Sequence, residues 1–359
     1  MLFLGFGSGL PYILLISTST AWLRDVNVDL SYIGFFTWIT FTYTFKFVWA
    51  PLVDRFSIPF LAQYGHRKSW IAFMQILIFL SLLFISNIDP IENFILFCMV
   101  GATIAFAGSI QDIAIDAFRI EYAHISDQGN LAASYQLGYR LAIIAATSIA
   151  LIFADINGWS MTFKLMAGLM CLGLLGVIFS KEEKNKELGK LNFINSIVEP
   201  LKDFFSRFGM FMASILLLII ATYRLTDIVM GPMATPFYID MGFTLTEIGA
   251  VVKVIALFAS IFGIFFGGLL IKKVKIFKSL LLGAFLVMLT NILFAYVAVS
   301  EKSISSLAII VAMDSLAAGI VGTFEGSKAR EVKVANEMAL EQFLKDLDLN
   351  QNEKNDNTI

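Results

Sequence analysis

The sequence predicts an all-α polytopic membrane protein, and three observations carry that fold class: the composition, a regular pitch of apolar runs, and a one-sided distribution of basic residues. Of 359 residues, 58% are hydrophobic and only 15% charged, and the mean hydropathy is +0.79. A soluble domain carries roughly 25% charged and about half apolar residues, so a chain of this length has no core to hold the excess. Membrane lipid is therefore the expected surrounding. The net charge of −2 leaves no basic surplus to displace phosphate counterions, which excludes a nucleic-acid partner. Cys98 and Cys171 lie in apolar runs, whereas His66 and His124 lie in polar connections. Neither a disulfide framework nor a metal site can be assembled from that set, and no cofactor is expected.

Ten charge-poor runs are read, over 2–22, 32–52, 69–88, 91–113, 134–154, 159–180, 209–230, 243–271, 278–300 and 303–323. Each is near the ~20 residues that a helix rising 1.5 Å per residue needs to cross about 30 Å of hydrocarbon. Their apolarity is continuous and does not alternate, so helices and not barrel strands are implied. Counting Lys and Arg outside the runs with the amino terminus inside gives 19 on the cytoplasmic side against 2 outside. That bias places both termini in the cytoplasm.

The first run holds Gly5, Gly7, Gly9 and Pro11, then the hydroxyls Ser17, Thr18, Ser19 and Thr20. It is too long and too rich in Gly and Pro for a cleaved signal peptide. No strand precedes GFGSG, so it is no nucleotide loop; glycine at this density lets helices touch and bend. On the second run Trp38, Thr42, Lys46 and Trp49 share a helical face. Flat rings suit a sugar and the ammonium suits a carboxylate. Between the second and third runs stand Asp54, Arg55, Gly65, His66, Arg67 and Lys68. Asp54 ends one helix, and the cations are placed to meet neighbouring helix ends and carboxylates, a latch on the cytoplasmic side.

The fourth run is the most informative. Gly101, Ala105, Gly108, Asp112, Asp116 and Arg119 follow at steps of 4, 3, 4, 4 and 3, on one face, with Gln111 beside Asp112. Asp112 falls about 30 Å from Ile91 along the helix, near the inner boundary. Two readings stand: an ion-pair network with Arg55, Arg67 or Arg140, or a carboxylate that carries a coupled proton. The fifth run places Gln136 and Arg140 one turn apart. Segment 181–208 is basic and amphipathic and reads as an interfacial linker. It separates an amino-terminal six-helix bundle, 1–180, from a four-helix group, 209–323, and a polar tail, 324–359, follows.

In the second group Arg224 and Asp227 are three residues apart, and Lys253 and Asp314 lie roughly 15 and 16 Å into their helices, near the midplane. A charge there costs about 2.5–3.5 kcal/mol on insertion scales, so each is a functional hypothesis. The pairs expected are Lys253 with Asp314, or Asp314 with Arg224. Enzyme readings fail because no nucleophile has a base in reach and no HExxH or GxSxG motif exists.

Six helices, a long basic loop and a second bundle, with the Asp54–Lys68 signature in stretched form, make the outline of the major facilitator superfamily. The segments GFGSGLPYILLISTSTAWLRD (5–25), IGFFTWITFTYTFKFVWAPLVDR (33–55), QDIAIDAFR (111–119) and LGYRLAIIAATSIALIFAD (137–155) closely resemble the AmpG family of muropeptide permeases. The resemblance implies a proton-driven importer of 1,6-anhydro-muropeptides, a small-molecule solute, in a bacterial inner membrane. It also implies twelve helices, whereas the apolar pattern stops after Gly322, two short. Alternatives are a carrier of another anionic solute such as acetyl-CoA, or a truncated remnant that does not transport.

Overall fold

A computed structural model describes residues 1–58, 61, 63, 65–122, 128–180, 202, 205, 206, 209–211, 213, 214, 225–271 and 276–321. The expected linker helix of 181–208 falls almost wholly outside the described residues, as do the tail, His124 and Arg224. The helices are α1 Leu2–Asp25, α2 from 30 to 55 in pieces, α3 His66–Ile85, α4 Phe94–Tyr122 and α5 Asn130–Asn157, followed by α6 Trp159–Phe179, α7 Leu225–Asp240, α8 Leu245–Gly267, α9 Ile276–Val299 and α10 Ile304–Val321. Among the described residues α1, α3, α4, α5, α6, α8 and α10 are long and apolar enough to cross a membrane. The chain is a multi-pass membrane protein.

Two helices continue well beyond the expected runs. Helix α4 continues nine residues past position 113, to Tyr122, because Asp116, Arg119 and Glu121 find partners and the polar end remains helical. Helix α7 continues past 230 to Asp240 and holds Pro232 and Pro236 inside it.

By internal contacts the chain divides into Met1–Lys253 and Val254–Ile359. In the first unit α1 is central, packed by α5, α6 and α4, while α3 packs against α4 and α6. Glycine makes the closest of these approaches. Gly5 lies against the Tyr135 carbonyl, and Gly138 lies against the Leu2 carbonyl and 2.9 Å from Phe6 N, measured from where a Cβ would stand. At the other end of α1, Trp22 sits among Phe97, Phe163 and Trp159, with ring centroids 5.3, 5.0 and 6.0 Å away. Trp22 and Trp159 stack at 9°, and the Trp159 indole N–H donates to Asp25 Oδ2 at 2.7 Å.

Local irregularities have local causes. Pro11 removes an N–H inside α1, and the helix opens into a wide π turn at Leu14–Thr18. Similar wide turns interrupt α5 at Ala145–Ile149 and α8 at Ile248–Val252. Helix α2 is broken into Leu30–Thr37, Trp38–Thr40, Phe41–Thr44 and Lys46–Arg55. Thr37, Thr40 and Thr42 donate their hydroxyls to carbonyls three residues back, at 2.7, 2.7 and 2.8 Å. Such back-bonding competes with the helical ladder and bends it.

In the second unit α8 and α10 touch through Gly263, against the Leu316 backbone, and Gly319, 2.9 Å from Ile264 N on the same Cβ measure. An apolar cavity of about 520 Å³ is lined by Phe258, Phe262, Leu289 and Met313 among others.

Candidate functional site

The small-residue stripe of α4 is the floor of a polar site in the first unit. Gly101 lies under Phe36, and Gly108 lies under the Tyr43 hydroxyl and 3.5 Å from Pro11, so α2 and α1 both approach this face. One turn past Gly108 the stripe becomes ionic at Asp112. Its Oδ1 accepts from the Ser8 hydroxyl, and Ser8 Oγ also lies 2.7 Å from the Tyr135 hydroxyl. Tyr43, Tyr135 and Tyr139 are near enough for electrostatic interaction with the Asp112 carboxylate, as are Lys46 and Asp116. Tyr12 meets Tyr43 edge to face at 4.8 Å, and Tyr135 and Tyr139 lie 6.4 Å apart. The carboxylate thus accepts from one hydroxyl of α1, which is itself within hydrogen-bond distance of a tyrosine of α5, while the buried Tyr43 hydroxyl of α2 has no hydrogen-bond partner among the described residues.

Because α4 continues to Tyr122, Asp112 lies in the helix interior, about 15 Å from that end at 1.5 Å per residue. Asp116 is engaged differently: it pairs with Arg119 at 3.3 Å, and the Arg119 guanidinium stands 5.3 Å over the Tyr135 ring. Gln111 and Gln75 are both 0% exposed. Neither amide has a hydrogen-bond partner among the described residues. From the Cβ position of Gly7, Gln75 Nε2 is 3.0 Å and Gln111 Nε2 3.7 Å away.

At the end of the same bundle the Asp54–Lys68 signature is brought together. Arg67 Nη1 donates to Asp54 Oδ1 at 2.6 Å and Nη2 to Glu121 Oε1 at 3.1 Å, so one guanidinium ties α2, α3 and α4. Lys68 Nζ donates to the Ser180 carbonyl at 2.7 Å, at the C-terminal end of α6 where the helix dipole favours a cation. His66 bonds Ser57 and the Val53 carbonyl, each at 2.8 Å. Gly65 takes φ 121°, a conformation that side chains rarely adopt, and so turns the chain into α3. Arg55 stands in the last turn of α2.

Lys253 donates to Thr235 Oγ1 at 3.0 Å, and Asp314 lies on α10 in the second unit. Asp227 lies in α7, and Arg224 is outside the described residues. Arg140 is half-buried, while Gln136 is exposed. The aromatic stripe of α2 is interrupted: Trp38 is 63% exposed, Lys46 is exposed, and Trp49 packs on Phe106 at 5.2 Å.

Sequence reasoning missed Ser8, Tyr43, Gln75, Glu121, Tyr135 and Tyr139. On α5 it chose Gln136 and Arg140, one residue off the face that meets α1. Gly138 carried the signal, since a glycine at a close helix contact marks 135, 138, 139 and 142 as the inward positions.

The sequence profile of the Major Facilitator Superfamily matches residues 1–327. The putative transporter AmpG 4 of Rickettsia conorii is 33% identical over 327 residues, which covers 89% of this chain and 78% of the relative. The anhydromuropeptide permease of Escherichia coli is 32% identical over 322 residues, 89% of this chain and 64% of the permease. Among solved structures, a bacterial homologue of the human lysosomal transporter Spinster, inward-facing and unoccupied, gives a TM-score of 0.63 at 13% identity over 90% of this chain and 72% of that one, a likeness of fold. A profile match along nearly the whole helical region and relatives at this identity together identify the chain as a member of the major facilitator superfamily, within its AmpG family of transporters.

Proposed function

We propose that this protein is a solute carrier and not an enzyme, that it brings anhydro-muropeptides inward across a bacterial inner membrane, and that Asp112 carries a coupled proton. One observation carries the coupling: the hydroxyl chain from Tyr135 through Ser8 to Asp112. Ser8, donating to Asp112 and within hydrogen-bond distance of Tyr135, can rotate to accept from a protonated carboxyl. Either protonation state of Asp112 therefore finds partners. Asp116 is less suited, being tied to Arg119.

Arg67, held between Asp54 and Glu121, acts as the latch of the cytoplasmic gate. That side is inferred from the 19 to 2 bias in basic residues. The solute class comes from the Escherichia coli relative's name. Lys46, Arg140, Arg224, Asp227, Lys253 and Asp314 remain proposed contacts along the pathway.

The test is uptake of labelled anhydro-muropeptide into proteoliposomes under an imposed inward proton gradient. Wild type should accumulate it. Asp112→Asn should lose accumulation above equilibrium yet keep exchange of labelled for unlabelled solute. Accumulation undiminished in that variant would overturn the coupling role, and accumulation of acetyl-CoA in place of the muropeptide would overturn the substrate.

A further inference from the structure

A second polar cluster of the first unit takes no part in the site around Asp112. Lys253 follows directly on the wide turn Ile248–Val252 of α8. Its ammonium has one hydrogen-bond partner among the described residues, Thr235 Oγ1 of α7, at 3.0 Å. Thr235 is 1% exposed and Ser17 of α1 is 8% exposed, and their hydroxyl oxygens lie 3.4 Å apart. Next to Ser17, Thr18 donates to the Ala146 carbonyl of α5, and the buried Ser19 hydroxyl has no partner among the described residues. Three of the four helices that meet here, α1, α5 and α8, do so at their wide turns, a feature found disproportionately at functional sites.

The chemistry of this cluster is incomplete in one direction. An ammonium has three N–H donors and full positive charge, and a hydroxyl partner satisfies one donor and none of the charge. Among the described residues no carboxylate lies within ion-pair distance of Lys253. A cation in a membrane-spanning helix is ordinarily paired or serves a pathway. The complement of one ammonium flanked by hydroxyl donors is a carboxylate, whose two oxygens accept a charge-assisted bond and a neutral one together.

We propose that Lys253, Thr235 and Ser17 form a subsite for a carboxylate of the transported solute. The inference rests on the muropeptide reading above, because the peptide of such a solute supplies the carboxylate. Lys253 delivers the charge, Thr235 holds the ammonium in place, and Ser17 supplies a hydroxyl from the central helix.

The experiment measures dissociation constants of the purified full chain in nanodiscs for two tritiated probes. One is a 1,6-anhydro-N-acetylmuramyl-tripeptide; the other is the same compound with its carboxylates amidated. Wild type should bind the acid at least tenfold more tightly. Lys253→Gln should abolish that preference while leaving affinity for the amidated probe within twofold, which also certifies the fold. Lys253→Arg should keep most of the preference, and Thr235→Val should reduce it severalfold.

A tenfold preference that survives Lys253→Gln overturns the subsite. So does restoration of acid binding to Lys253→Gln by Asp314→Asn, which would mean an internal ion pair. Binding of neither probe by wild type overturns the muropeptide reading and the subsite together. A Lys253-dependent preference without uptake in proteoliposomes upholds the subsite and overturns import.

Discussion

Replacing Gly138 by alanine tests the packing that positions the hydroxyl chain at Asp112. The added Cβ would stand 2.9 Å from Phe6 N and against the Leu2 carbonyl, where ordinary Cβ contacts run 3.4–4 Å. Both obstacles are backbone of α1, which cannot swing aside as a side chain does. The Leu2 carbonyl oxygen is nearer still than Phe6 N, so the two helices must part by about 1 Å or more, and a gap of that size forfeits roughly half of the contact attraction it opens. Overpacking of this kind costs typically 1–3 kcal/mol, against which alanine returns roughly 0.5–1 kcal/mol of helix propensity. The backbone obstacle puts the cost toward the upper part of that range, leaving a net of about 1–2.5 kcal/mol; at roughly 2–4 °C in Tm per kcal/mol for a unit of this size, Gly138→Ala should melt about 2–10 °C lower. Gly168→Ala is the matched control, since nothing lies within 4 Å of its Cβ position; it should melt at or slightly above the wild-type temperature. Thermal unfolding in one detergent, followed by tryptophan fluorescence, compares the three proteins. Equal melting of Gly138→Ala and Gly168→Ala would refute the close approach of α1 and α5.

Two further outcomes follow from the charged ends of the helices. In double-mutant cycles on unfolding, Arg67 should couple to Glu121, bonded through Nη2 and 32% exposed, by about 1 kcal/mol, and to Asp54, 53% exposed, by roughly half of that or less; the reverse order would refute the central role given to Glu121. Asp29 caps the first piece of α2, its carboxylate accepting from Ser31 N at 2.8 Å, and that backbone hydrogen bond holds its carboxyl below the usual carboxylate range. Its contribution is therefore present above the unfolded value of about 3.9 and is lost as pH falls through the lowered folded value. An NMR titration of the labelled side chain should place the midpoint below ~3.9; a midpoint at or above it would refute the cap.

The helical bundle was legible because apolar length alone separates spanning helices from everything else in this chain, and α3 and α6 fall within three residues of the runs that announced them. The contacts of the Asp54–Lys68 segment were legible as well, since Asp54, Arg67 and Lys68 are charges that must find carboxylates or helix ends, and they do. What escaped were neutral partners. Ser8, Tyr135 and Tyr139 look like ordinary residues of apolar helices, and their role depends on α1 lying against α5, which no spacing within one helix encodes. Glu121 escaped for another reason: a carboxylate just beyond an expected helix end reads as solvated until α4 is seen to continue through it. The broken α2 also resists reading, because its regular apolar pattern predicts a straight helix and the threonine back-bonds override it.

The stacked indoles of Trp22 and Trp159 give the molecule an internal optical gauge. Both are nearly buried, at 5% and 8% exposure, whereas Trp38 is 63% exposed, so the pair contributes the blue side of the intrinsic emission and Trp38 the red. Because one ring belongs to α1 and the other to α6, any step of a transport cycle that parts these helices at this end breaks the stack and frees the Trp159 N–H from Asp25. Emission would then shift to the red with no label attached, and a protein with Trp38, Trp49 and Trp70 all replaced by Phe would isolate that signal. The same aromatic contact that seals one end of the bundle can thus be used to time its opening.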